Sequence, residues 1–410
     1  MKKGLRMELT DQGLTLEKVS HFLEKNPSVQ LSKQAKATIR ASRKIVEEKL
    51  SGDKTYYGIN TGFGKLATTK IAPENLAALQ ENIIFSHAMA TGDPLEEPIA
   101  RLTLLLHASS LARGFSGVRL ETIEAILALL NHHITPVIPE KGSLGASGDL
   151  ALLAHLGLAL MGKGEVFFKG KRMPAGKALR ECGLKPFAPQ AKEGLSLVNG
   201  LAASLATSLF ALLKAKRLLK LADIVAALSV EGDRASFSPF REELLKLRPQ
   251  PGILTTGENF RKLLKDSEIN KSHAGCSRVQ DPYSFRCIPQ VHGAVKDAFH
   301  FARQTLEREL VAVTDNPLVF LKDGSILSGG NFHGESIAFA ADFLSIALTE
   351  LGAISERRLA ILLQPLQGEI PTVFLTKNPG LHSGFMTPHY VVTNLTLENK
   401  TLAHPASIDS

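Results

Sequence analysis

The chain has 410 residues, 44% hydrophobic and 21% charged, an ordinary globular balance with length for a large core and more than one structural unit. Lys plus Arg total 48 against 40 Asp plus Glu, a formal charge of +8, but the basic residues are scattered. Aromatic content is 6% with no Trp, too thin for a base-stacking surface, so the surplus reads as a solvated basic face and no nucleic-acid partner is expected. Cys182, Cys276 and Cys287 are odd in number and lack C-x-x-C spacing. They argue against a disulfide framework or a zinc knuckle, and fit a reducing cytosol. The N-terminal MKKGLRMELTDQG has a basic start without an apolar core, so it is not read as a signal peptide.

In chain order, Ser32 is placed to N-cap a helix through Ala35, Ile39, Val46 and Leu50. Tyr56 to Gly64 is a Gly-rich loop. Its glycine spacing is wrong for a P-loop, and Leu66 stands where a Ser or Thr would be needed. Ser86-His87-Ala88-Met89-Ala90 follows, with a packed core histidine as the plain reading of His87. Glu165 to Phe168 is a short strand signal. Gly194 to Leu213 carries no charge and is just long enough to span a membrane. Its Ser, Thr and Asn residues, and its run into a charged helical pattern, make a buried core helix the better reading. A helix is expected over Leu201 to Val230, and another over Glu335 to Leu362. Leu318 to Leu321 faces Ile326–Leu327 across Lys322-Asp323-Gly324, a hairpin signal. The expected fold is mainly all-α with minor β. An N-terminal region of Gly-rich loops, residues 1–200, precedes a long-helix bundle, residues 201–410.

The most informative stretch is Gly142-Ser143-Leu144-Gly145-Ala146-Ser147-Gly148-Asp149-Leu150, ahead of an apolar helical run from Ala151 to Met161. It is not a G-x-S-x-G nucleophile elbow, because Asp149 occupies the last glycine position. His155 lies two helical turns past Ser147, so it is no local base for that serine. Taken by itself the stretch is a Gly-rich turn with Ser147 or Asp149 capping a helix. The longer string, Gly-Ser-x-Gly-Ala-Ser-Gly-Asp-Leu-Ala-x-Leu-Ala-His, resembles the signature of the MIO-dependent aromatic amino acid ammonia-lyases, with Leu152 where that family usually has Pro. The resemblance implies that Ala146-Ser147-Gly148 cyclises by itself. The Gly148 nitrogen attacks the Ala146 carbonyl carbon, and two waters leave, one from the Ser147 hydroxyl. The product is 4-methylidene-imidazole-5-one (MIO). Ring closure needs a sharply bent backbone, which Gly148 without a Cβ permits.

Further motifs extend the resemblance over essentially the whole chain. Tyr57-Gly58-Ile59-Asn60-Thr61-Gly62-Phe63-Gly64 matches the loop whose Tyr removes the substrate β-proton, which implies Tyr57 as base. A tyrosine of ordinary pKa, near 10, is a poor base at neutral pH, so the site would have to favour the phenolate. Glu193 to Gly200 matches a second motif and implies Asn199 as a contact of substrate amine and MIO. The chain continues Gly200-Leu201-Ala202 where the family usually has Gly-Thr-Gln. Gln280-Asp281-Pro282-Tyr283-Ser284-Phe285-Arg286-Cys287 matches a third. It implies Arg286 as carboxylate clamp, with Gln280 and Tyr283, the latter catalytic, on the MIO side. Asp315-Asn316-Pro317 and Gly329 to Glu335 follow in family order, and Phe332 is implied beside substrate. His333 has no accompanying ligand cluster, so no metal is expected.

Ser86-His87 lies where the family sets side-chain preference. The polar His87 suits an imidazole, where tyrosine and phenylalanine lyases tend to carry a Leu. The resemblance thus implies elimination of ammonia from L-histidine to trans-urocanate, in a cytoplasmic homotetramer with sites shared between subunits. Another aromatic lyase or aminomutase of the family, or an inactive scaffold or partner subunit, are the alternatives. The chain stops at Ser410, just before a family block, Gln-Glu-Asp-His-Val-Ser-Met-Gly, whose Glu contacts imidazole. On the resemblance, a C-terminally truncated chain is expected.

Overall fold

Ser32 does cap the first long helix: its Oγ accepts from the Ala35 N–H at 3.0 Å, closing one of the donors that a helix start leaves open. In the computed structural model the described residues are 5–52, 54–273, 275, 278–364 and 372–408. The helices follow as α1 (Leu16–Lys25), α2 (Lys33–Leu50), α3 (Leu76–His87), α4 (Glu97–Ala112), α5 (Leu120–Asn131), α6 (Leu150–Leu160), α7 (Ala175–Glu181), α8 (Glu193–Val198) and α9 (Ala202–Gly232). After these come α10 (Glu242–Leu245), α11 (Pro251–Leu263), α12 (Glu268–Ser272), α13 (Tyr283–Arg286), α14 (Ile288–Glu309), α15 (Glu335–Leu362) and α16 (Met386–Leu402). The chain is mainly α-helical with short strands, the class expected from its sequence.

Strands are short and local. β1 (Arg6–Leu9) runs parallel to β2 (Ser28–Leu31), with Met7 opposite Val29 and Leu9 opposite Leu31. β3 (Thr91–Pro94) pairs antiparallel with β5 (Pro139–Lys141). β4 (Thr135–Pro136), β6 (Glu165–Phe168) and β7 (Lys171–Pro174) form a three-stranded antiparallel sheet in the order β4-β6-β7. β6 has the limits expected from sequence. The hairpin forms as β8 (Leu318–Val319) with β9 (Ile326–Leu327), shorter on its first arm than the sequence suggested.

The chain packs as two compact units. One comprises Met1–Phe210 and Thr305–Ala338, the other Ala211–Gln304 and Phe339–Ile408. In the first, α4 buries twelve of its sixteen residues, so it has no polar face to show and serves as a central post. Fully buried leucines such as Leu102, Leu104 and Leu105 each contribute about 2 kcal/mol of transfer free energy. In the second, Phe240 stacks on Phe260 at 4.3 Å within a core that also holds Val230, Phe285 and Ile288. Glu193–Gly232 and Glu335–Leu362 are each long and apolar enough to cross a membrane by length and composition. The uncharged run from Gly194 nevertheless packs inside: Leu195, Leu197, Val198, Leu201, Ala203, Ala206 and Leu209 are all buried, as a core helix requires.

Candidate active site

The Ala146-Ser147-Gly148 stretch is a tight turn directly ahead of α6. The Gly148 N–H donates to the Gly145 carbonyl at 3.2 Å, and Gly148 holds φ +73°. A Cβ on Gly148 would lie 2.6 Å from the Gly200 carbonyl oxygen and 3.1 Å from that of Phe332, so only glycine fits. Ser147 is exposed at the tip of the turn. Ser143 pins the turn from below, its Oγ 3.2 Å from the Gly148 carbonyl and 2.9 Å from the Asp149 carboxylate. Asp149 sits at the N-cap position of α6 but makes no side-chain cap there. Its buried carboxylate instead accepts from the Ala203 and Ser204 N–H groups at 2.8 Å and from the Ser204 hydroxyl, at the start of α9. Burial pushes that carboxyl above the usual range, against the pull of these hydrogen bonds. The plain reading of Asp149 as a cap of its own helix is therefore replaced: its side chain ties the turn to the first residues of α9. The Asp149 N–H, donating to the Gly200 carbonyl at 2.8 Å, ties it to the Asn199–Gly200 segment.

Helices α3, α6 and α8 pack on one another; α3 ends at His87 and α8 is C-capped by Asn199, and the loop that carries Tyr57 packs against them. The close approach is set by glycine. A Cβ on Gly194 in α8 would meet the Gln80 backbone of α3 at 2.2 Å, and one on Gly58 would meet Leu195 at 2.1 Å. The buried Gln80 side chain completes the join. Its Oε1 accepts from the Leu195 N–H at 3.1 Å, and its Nε2 donates to the Gly58 carbonyl at 3.4 Å. The Tyr57-Gly58 loop is thereby fixed against α8, which ends at Asn199. Tyr57 Oη accepts from the Gly64 N–H at 3.2 Å. The Phe63 ring lies 5.9 Å from that of Tyr57 and meets the His87 ring edge-on at 5.1 Å. His87 closes α3. Its Nδ1 is 2.8 Å from the Ile83 carbonyl, an obligate acceptor, and 3.1 Å from the Ser86 hydroxyl, so Nδ1 carries a proton and, in the neutral ring, Nε2 is the acceptor.

Asn199 is 6% exposed and rests on Asp315 and Asn316. Its Nδ2 donates to Asp315 Oδ1 at 3.3 Å and to the Asn316 carbonyl at 3.2 Å. Asp315 also accepts from Lys192 Nζ at 2.7 Å and Ser196 Oγ at 2.9 Å. Asn316 Oδ1 accepts from the Gly329 N–H at 2.8 Å, anchoring the loop that carries Phe332. His333, beside it, accepts from the Glu335 N–H at 3.3 Å at the start of α15. Among the described residues no group of three or more His, Cys, Asp or Glu side chains is placed to hold a metal ion.

Gln280, Tyr283 and Arg286 belong to the second unit. Gln280 and Arg286 line a cavity of about 900 Å³ together with Arg234, Arg241, Lys271, Arg278 and Asp281, with Arg278 paired to Asp233 and Asp281 and Arg241 to Glu243. The Arg286 guanidinium lies 4.4 Å over the Tyr283 ring, and Tyr283 is 71% exposed. Asp281 is structural: it accepts from Arg278 at 3.0 Å and from the Ser236 N–H at 2.7 Å. Phe285 is buried in the unit's core, and Arg358 Nε donates to the Ser284 carbonyl at 3.0 Å. The structure thus gathers Tyr57, His87, the Ala146-Ser147-Gly148 turn, Asn199 and Phe332 in one unit, and the other three candidates in the second. Sequence reasoning gave no role to Gln80, Phe63 or Arg358. Phe63 stood inside a recognised motif, whereas Gln80 and Arg358 act through partners far away in sequence.

A family model described as aromatic amino acid lyase matches residues 14–410. The chain belongs to the aromatic amino acid lyase family. It is 47% identical over 405 residues to a histidine ammonia-lyase of Myxococcus xanthus, covering 99% of this chain and 80% of that relative. Among solved structures it is similar to histidine ammonia-lyase from Trypanosoma cruzi, with a TM-score of 0.89 and 40% identity, covering 99% of this chain and 76% of that one. It is also similar to tyrosine aminomutase from Streptomyces globisporus, with a TM-score of 0.89 and 35% identity, covering 97% and 78%. As an aromatic amino acid lyase, the chain is an enzyme that breaks carbon–nitrogen bonds.

Proposed function

We propose that this aromatic amino acid lyase is a histidine ammonia-lyase, which eliminates ammonia from L-histidine to give trans-urocanate. The observation that carries the reading is the 47% identity, over 99% of the chain, to a relative of that name. The free Nε2 acceptor of His87, next to Phe63, suits an imidazole N–H.

The Ala146-Ser147-Gly148 turn fits self-cyclisation to MIO. Gly148 has the bent backbone that closure needs, in a cradle with no room for a Cβ, and Ser147 has an open face through which water leaves. MIO supplies the electrophile that makes a poorly acidic β-proton removable. The chain's own side chains do the rest. Arg286 holds the substrate carboxylate in its planar fork. Tyr57 Oη takes the β-proton. The C–N bond then breaks with its electron pair on nitrogen, a C=C bond forms, and ammonia leaves. Asn199 contacts the amine, Phe332 packs beside the substrate, and Gln280 and Tyr283 line the MIO side. Sites shared between subunits of a homotetramer are part of the reading, supported by the exposure of Tyr283. So is a reducing cytosol, which suits the free Cys182 and Cys287.

The purified chain should be lighter than its sequence by two waters, and Ser147→Ala should restore the full mass and abolish turnover. An unmodified wild-type mass in folded protein overturns the MIO assignment. In a panel of histidine, tyrosine and phenylalanine, assayed for both unsaturated acid and β-amino acid, histidine should be preferred and urocanate the product. Preference for phenylalanine, or β-amino acid as the product, would replace the reading by another family activity.

A further inference from the structure

We propose that Asp315 and Lys192 form a buried ionic clamp that fixes the Asn199 amide with its carbonyl oxygen as the atom offered to the substrate amine. The proposal rests on Asn199 being the amine contact, as assigned above. An amide has one face that donates and one that accepts, and only its surroundings decide which points where. Here both Nδ2 hydrogens are taken, one by Asp315 Oδ1 and one by the Asn316 carbonyl. Neither acceptor is able to reverse its role. Asn316 offers a carbonyl. Asp315 is held as a carboxylate by Lys192, Ser196 and the Asn316 N–H, at 2.7, 2.9 and 2.7 Å. Burial alone would raise the Asp315 carboxyl, but the Lys192 charge and these hydrogen bonds outweigh it and leave it below the ordinary range. Flipping the amide would set Oδ1 against two acceptors. In the arrangement seen, Oδ1 receives no hydrogen bond from any described residue, so it is free to accept from an amine N–H.

The cost of this device points the same way. Lys192 is 0% and Asp315 2% exposed at the side chain, and a wholly buried ion pair adds little stability over an apolar pair of the same size. Lys192 also holds φ +71°, a left-handed backbone that a lysine rarely adopts. Both costs fall at the start of α8, the six-residue helix whose C-cap is Asn199. Asn316 extends the clamp, since its side chain also anchors Gly329 in the Phe332 loop.

The test uses the full chain carrying Ser147→Ala, which prevents turnover. Calorimetry compares binding of L-histidine with binding of imidazole propionate, which lacks the amine. Asp315→Asn should weaken L-histidine by about tenfold or more, the worth of one charge-assisted hydrogen bond, and leave imidazole propionate as before. The loss should not appear when Asn199→Ala is already present. Because Asp315→Asn strands a buried ammonium, the pair Lys192→Met with Asp315→Asn, which removes both charges, is measured alongside. The same selective loss is expected there, with a cooperative melt. If Asn199→Ala removes the preference for histidine but either position-315 variant keeps it, the clamp is overturned. Equal losses for both ligands, the mark of a general disturbance, overturn it as well. If Asn199→Ala itself keeps the preference, the amine contact is wrong, and the clamp falls with it.

Discussion

Tyr57 and His87 both meet the Phe63 ring. Tyr57 Oη accepts from the Gly64 N–H, so its oxygen is steadied in place as a base would be. Tyr57→Phe keeps the ring contact and removes only the oxygen. Turnover should fall by on the order of 10²–10⁴, the usual worth of a positioned base, while the two-water mass deficit stays. Near-normal turnover in that variant would remove Tyr57 from the mechanism. His87 is the matching case for specificity. Its Nδ1–H is spent on the Ile83 carbonyl, which leaves Nε2 as the ring nitrogen without a protein partner among the described residues. His87→Leu should weaken histidine turnover by roughly 1–3 kcal/mol and improve entry of a phenyl ring. Unchanged relative rates on histidine and phenylalanine would show that specificity lies elsewhere. At this scale the sequence is legible where a motif names the residue. It is silent on Gln80, which looks like a helix surface glutamine until Leu195 and Gly58 arrive from other segments.

Among the elements, the α3–α8 contact is the one on which the site depends. Alanine in place of glycine inside a helix ordinarily gains about 1 kcal/mol. At Gly194 the sign should reverse, because the added methyl would meet the Gln80 backbone at 2.2 Å, and backbone does not yield as a side-chain tip does. We expect Gly194→Ala to destabilise by about 1–3 kcal/mol, read as a lower urea midpoint. It should also cut turnover more than that loss explains, since α8 carries Asn199 and abuts the Tyr57 loop. A stabilised or neutral variant would mean that the helices are not so close. Long elements were plain in the sequence: α15 spans Glu335–Leu362 as its apolar pattern indicates, and α2 starts after its Ser32 cap. Short ones were not. β1 and β2 alternate exposed and buried residues, but over four residues each, too few to tell from chance before their pairing is seen. α13 is one turn long and owes its existence to Phe285 in the core and Arg358 on the Ser284 carbonyl.

For the molecule as a whole, buried histidine sets a limit on acid tolerance. His107 lies in the middle of α4, 2% exposed, with no hydrogen-bond partner at Nε2 among the described residues. Burial pushes its pKa down to about 4, more than the nearby Asp315 charge and a hydrogen bond with the Ser196 backbone raise it. In the unfolded chain the same group titrates near 6.5. Between these values the unfolded state holds a proton that the folded state does not, so acid favours unfolding. The loss begins as pH falls through about 6.5 and is complete near pH 4, where it amounts to about 3 kcal/mol. Asp315 acts in the same direction, because a carboxylate held low loses its advantage on acidification. A plain pH titration of stability would therefore mix the two. His107→Gln separates them: it fills a similar volume, stays neutral at every pH and leaves Asp315 in place. Urea midpoints measured from pH 7 to pH 4.5 should fall more steeply in the wild type than in the variant. The difference between the two curves should open below pH 6.5 and keep growing toward pH 4.5. Parallel curves would show that His107 is protonated without cost, contrary to its packing at the centre of α4.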